Sequence, residues 1–142
     1  MKNKKGQASL EYMVMLAISL MIFAVVIGFS MNMVSNVKSQ LGVDTAYKAV
    51  EEIKEASDFI YVHGHPSRTE IEVYIPPNIE AVSIPATNNS IIARISVGES
   101  YTDIYGVTKG RVYGDLSAVT REGYYVFRVE STSDEAINIT LV

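Results

Sequence analysis

Hydrophobic and polar positions divide this chain into three stretches with different periods. From Tyr12 to Val37 no charged residue occurs, and within Tyr12 to Met31 the only polar side chains are Tyr12, Ser19 and Ser30. That run matches the roughly 20 apolar residues, at about 1.5 Å each, that carry a helix across a bilayer. A helix also satisfies its own backbone where no water is present. From Met33 onward the pattern becomes one-sided, with Val34, Val37, Leu41, Val50, Ile53, Ala56 and Ile60 at helical-face spacings. Lys38, Lys48, Glu51, Glu52, Lys54, Glu55 and Asp58 fill mostly the other positions. Gly42 interrupts the series and predicts a bent or loosened turn, since glycine inside a helix costs about 1 kcal/mol relative to alanine. Gly64 and Pro66 supply the stop. The expected element is a helix of about 50 residues, on the order of 80 Å long. Its first half, apolar all round, needs lipid or other such helices around it.

From Arg68 the period switches to two. Thr69 to Ile75 alternates and is closed by Pro76-Pro77-Asn78, and Ile79 to Ile84 is ended by Pro85. Ile91, Ala93, Ile95 and Val97 share a face opposite Arg94 and Ser96. Tyr101 to Tyr105 and Gly110 to Tyr113 read as shorter strands, Tyr125, Phe127 and Val129 alternate with Arg128 and Glu130, and Ile137, Ile139 and Leu141 close the chain. Seven short strands predict an antiparallel sheet or small sandwich, one face of it on the amphipathic half of the helix. The fold class is α+β: a long N-terminal helix over 7–64 and a β-rich head over 67–142.

Charge sharpens the reading of the first stretch. Lys2, Lys4 and Lys5 precede the apolar run and only Lys38 follows closely, which places the N-terminus in the cytoplasm and the bulk of the chain outside. An ordinary secretory signal has a shorter apolar core and a small-residue cleavage site after it, so this segment reads as retained after targeting. Glu11 stands at the mouth of the run, where a carboxylate is expensive and therefore expected to have a task. The chain of 142 residues is 48% hydrophobic and carries a net charge of −4, which suits one domain plus a hydrophobic helix. With no cysteine there is no disulfide framework, and the acidic balance without a basic stripe argues against nucleic acid as a partner.

The string Lys5-Gly6-Gln7-Ala8-Ser9-Leu10-Glu11-Tyr12 resembles the class III signal peptide of archaeal type IV pilin-like proteins. The resemblance implies a lollipop-shaped subunit and a membrane prepilin peptidase that cuts on the cytoplasmic side, between Gly6 and Gln7. Residues 1–6 would then be the leader, and 136 of the 142 residues would remain. Loss of three lysines leaves nine basic against sixteen acidic residues, a formal charge of −7. Removal of the basic head also lowers the cost of drawing the helix out of the membrane, and small residues at Gly6 and Ala8 admit a protease to the backbone. The resemblance gives Glu11, fifth in the cut chain, to filament assembly, neutralised by the α-amine of Gln7 in a neighbouring subunit. If Gln7 cyclises, Glu11 is left to other partners or to backbone donors near the helix start.

Candidate chemistry elsewhere is sparse. His63 and His65 are the only histidines, two apart and without cysteine, which falls short of a metal set and reads as exposed or capping residues. Asp115-Leu116-Ser117 lacks a histidine partner for a serine nucleophile and reads as a turn. The glycines form no phosphate-cradling pattern. Neither a catalytic residue, a metal nor a cofactor is expected. Asn88-Asn89-Ser90 and Asn138-Ile139-Thr140 are sequons, so Asn88 and Asn138 are candidates for N-glycosylation. The whole reads as the structural subunit of an extracellular archaeal type IV pilus-like filament for surface adhesion. Its partners would be membrane lipid before assembly, the prepilin peptidase, an assembly platform with its ATPase, and identical subunits. Competing readings are a minor pilin or pseudopilin-like component, a single-span anchored surface binding domain, and a secreted enzyme.

Overall fold

The computed structural model describes residues 4–87 and 89–142, with side chains from Ser9 onward. One helix, α1 (Lys4–His63), precedes seven strands: β1 (Arg68–Ile75), β2 (Ile79–Ser83), β3 (Ser90–Val97), β4 (Ser100–Val107), β5 (Arg111–Tyr113), β6 (Gly123–Ser133) and β7 (Ala136–Leu141). This is an α+β, pilin-like arrangement. The chain divides into two compact units, the first reaching Lys38 and the second spanning Ser39–Val142.

The first unit is helix alone, and its apolar side chains all face outward, from Val37 at 44% exposed to Phe29 at 73%. An 18-residue window within Ser9–His63 has a mean hydropathy of 2.6, long and apolar enough to cross a membrane. Three of its polar side chains bond back onto their own helix. Ser19 Oγ donates to the Met15 carbonyl at 2.8 Å, Ser30 Oγ to Val26 at 2.9 Å and Asn32 Nδ2 to Gly28 at 2.9 Å. Such i−4 bonds hide polarity that hydrocarbon cannot solvate.

In the second unit the helix and both sheets share one hydrophobic core. Ala46, Ala49, Val50, Ile53, Ala56 and Ile60 form the buried helical stripe. The stripe differs from the one the spacings predict, because Leu41 is exposed and lies off this face while Ala46 and Ala49 lie on it. Short side chains are preferred there since strands press closely. Gly42 breaks nothing: α1 runs through it, and a Cβ at 42 would stand 3.3 Å from Asn78 Nδ2. The glycine admits a neighbour within a continuous helix. The helix stops at Gly64, which takes a positive φ of 70° and donates its N–H to the Ile60 carbonyl at 3.1 Å.

The strands form two sheets, a four-stranded one in the order β1-β6-β7-β5 and a three-stranded β2-β3-β4 meander. Four of the five strand pairings are antiparallel, but β5 runs parallel to β7, with Arg111 opposite Ala136. The head is thus antiparallel as expected except at this one pairing, which makes the larger sheet mixed. β5 has only three residues, and one strand, β6, with the loop over 114–122 before it, separates β5 from β7 along the chain. Alternation does set the core: Val73, Ile75, Phe127, Val129, Ile137 and Ile139 all point inward from the larger sheet. On its outer face Glu70 accepts from Arg68 at 2.8 Å and Arg128 at 2.9 Å, and these donors hold its carboxyl below the usual range.

Candidate functional site: the N-terminal signal and its helix

The expected signal residues fall at the start of α1. Lys5, Gly6, Gln7 and Ala8 are helical, and their side chains lie outside the described residues. Ser9, Leu10, Glu11 and Tyr12 follow on an exposed helical surface, with Leu10 at 67% and Tyr12 at 69%. No described side chain pairs with Glu11. The Ser19, Ser30 and Asn32 side chains are already bonded within the helix, so Glu11 is the one charged group on this apolar surface before Lys38. A carboxylate placed so is poorly served by lipid and open to a cation brought by another molecule.

The other candidate residues are engaged locally. His63 Nδ1 lies 2.8 Å from the Phe59 carbonyl and its ring packs on Phe59 with centroids 4.0 Å apart. His65 Nδ1 lies 2.9 Å from the Ser131 carbonyl, so the two rings serve different elements. Among the described residues no group of three metal-ligating side chains gathers. Asp115 Oδ1 accepts the Ser117 N–H at 2.9 Å, a turn whose hydrogen bonds depress the carboxyl, and Leu116 between them is buried. Asn138 sits on the central strand β7 with its amide 3.5 Å from Glu130 Oε1. Asn88 lies outside the described residues, and Ser90 of its sequon is buried at the start of β3.

Residues 4–29 match the family model of the class III signal peptide. The match is consistent with a type IV pilin-like or pseudopilin-type protein, and a signal of this class implies processing by a prepilin peptidase and pilus assembly. Together with the apolar helix it indicates membrane anchoring and a surface-exposed protein. The match covers the signal and the first part of α1, and leaves the β-rich unit outside it. No curated protein and no solved structure shows significant similarity to the chain.

What the sequence alone did not indicate is a groove on the flank of α1 in the second unit. It is open, about 530 Å³, and lined by Glu52, Glu55, Ala56, Phe59, Thr69, Ile71 and Glu72. The one early signal was Phe59, an aromatic off the buried stripe and 55% exposed.

Proposed function

We propose that this chain is a structural subunit of an extracellular archaeal type IV pilus-like filament, cut between Gly6 and Gln7 and assembled through the apolar part of α1, with the β-rich unit serving surface adhesion. The observation that carries the reading is the class III signal at residues 4–29 running without a break into a helix that is apolar on every side. Such a helix is stable in lipid and equally stable against copies of itself, so a change of surroundings from membrane to shaft exposes no apolar surface to water. The preference for the shaft must then come from close packing and from a partner for Glu11, supplied by the Gln7 amine of a neighbour. The role is non-enzymatic on this reading, and glycans at Asn88 or Asn138 would decorate the filament surface.

The test is mass spectrometry of the N-terminal peptide from sheared, purified surface filaments. An abundant peptide beginning at Gln7 supports both processing and the structural role, and its mass reports whether Gln7 is free, methylated or cyclised. A processed chain that is scarce in filaments makes it a minor pilin or pseudopilin-like component. Retention of Met1 to Gly6 in the membrane overturns the proposal in favour of a permanently anchored surface domain.

A further inference from the structure

The two flanks of α1 in the second unit differ in character. With Ile53 as the buried centre line and about 100° per residue, Glu52, Glu55 and Phe59 fall to one side, and Lys54, Asp58 and Tyr61 to the other. On the first side the 530 Å³ groove opens between the helix and β1. Ile71 and Ala56 give it an apolar floor, Phe59 a wall, and Glu55 and Glu72 an anionic rim. Among the described residues neither Glu55 nor Glu72 makes a salt bridge, Glu55 acting on Lys54 only at longer range, and Glu52 reaches only Lys48, at 3.9 Å. β1 is a terminal strand, so one edge of its backbone has no strand partner.

The opposite flank carries the turn from β4 to β5. Lys109 and Arg111 are exposed there, and no described carboxylate pairs with their side chains. The acids nearby are already engaged: Glu51 holds Lys54 at 3.0 Å, and Asp58 accepts the Lys109 backbone N–H at 2.8 Å. Arg111 opens β5, the other terminal strand of the same four-stranded sheet.

We infer that the groove receives the Lys109–Arg111 turn of a second copy of this chain, and that this contact joins neighbouring subunits side by side. The inference rests on the filament reading and names one lateral contact within it. An arginine fork matches a carboxylate, and the aliphatic stems of Lys109 and Arg111 can lie on Ile71 and the Phe59 ring while their charges meet Glu55 and Glu72. The two surfaces are different and sit on opposite flanks of one helix. A contact of that kind is heterologous, so it leaves a free groove and a free turn at the two ends and propagates as an open array. Pairing groove to groove about a two-fold axis would set like charges together and is disfavoured.

The test uses the full chain and counts assembled filaments against processed subunit in the membrane. Reversing one surface (Glu55→Lys with Glu72→Lys, or Lys109→Glu with Arg111→Glu) is expected to cut filament yield at least about tenfold while processed subunit accumulates. Combining all four substitutions in one chain restores the pairing with signs exchanged and is expected to recover most of the yield. Should the reversals not give a protease-resistant subunit, Glu55→Gln with Glu72→Gln keeps the shape. It is expected to lower yield several-fold and to remove the salt sensitivity of what remains. Native-level assembly of every single-surface variant overturns the contact, as does a folded four-fold variant no better than its parents. If the unaltered chain forms no filaments and keeps its leader, the filament reading itself fails, which is a separate outcome.

Discussion

Gly106 offers a quantitative check on how tightly α1 and the head pack within the second unit. It lies on β4 where that strand crosses the helix, and a Cβ there would stand 2.6 Å from Val50 Cγ1, 3.5 Å from the Val50 carbonyl oxygen and 3.6 Å from Lys54 Cβ. Ordinary carbon–carbon contact needs about 3.5–4 Å, so Gly106→Ala demands a shift of roughly 1 Å. Val50 cannot supply it cheaply. It is 3% exposed, and a valine in a helix is held to essentially one rotamer. The expected loss is about 1–3 kcal/mol of stability. In urea, with a slope of about 2 kcal/mol per molar, that lowers the midpoint by about 1 M. The assay is urea titration of the detergent-solubilised full chain followed by tyrosine signals, since the protein has nine tyrosines and no tryptophan. Val50→Ala alone is expected to cost about 1–3 kcal/mol by leaving a void. In the double variant the new methyl occupies space the valine vacated, so the losses should fall short of additive by about 1–2 kcal/mol. Strict additivity, or a Gly106→Ala midpoint equal to the parent, would refute the close crossing.

Three further outcomes follow from the same coordinates. Leu116, 1% exposed and held by the Asp115 turn, should cost about 2–5 kcal/mol on change to alanine, read in the same titration. Glu70 and Asp103 have carboxyls held below their usual range by Arg68 with Arg128, and by Arg94. A depressed folded value means their contribution is full above the ordinary carboxylate range and disappears as pH falls through the lowered values. Acid titration should therefore weaken the head below about pH 4, and Glu70→Gln with Asp103→Asn should flatten that slope. Glu11→Gln should insert and be processed normally yet assemble poorly, and unchanged filament yield would remove the charge-pair argument for Glu11.

Much of the fold is legible in the sequence because local periods dominate it. Alternation from Arg68 onward identifies all seven strands, since most inward positions are apolar and each turn carries glycine, proline or polar residues. Three features are not legible. The helical face was drawn through Leu41, whereas the buried stripe runs through Ala46 and Ala49, because strand proximity selects small side chains there and hydrophobicity scales do not register that. Gly42 carries a helix-weakening signature, but its tertiary neighbour Asn78 determines its use. The parallel pairing of β5 with β7 depends on a loop path and leaves no trace in a three-residue strand. The signal at residues 4–29 is contiguous and so could be read directly. The groove draws Phe59 and Ile71 from separate elements and could not.

The inward bonding of Ser19, Ser30 and Asn32 has a mechanical consequence. With those groups turned onto their own carbonyls, a bundle of these helices has almost no directional bonds between neighbours along its apolar length. Contact there would be close apolar packing, which one rod can re-form after slipping past another because few hydrogen bonds fix it. On the proposed filament reading, Glu11 would then be the one charged mark able to set the register of each rod. If the chain does form such a shaft, it is expected to lengthen under tension by sliding and to recover its register on release, with one charged notch per subunit.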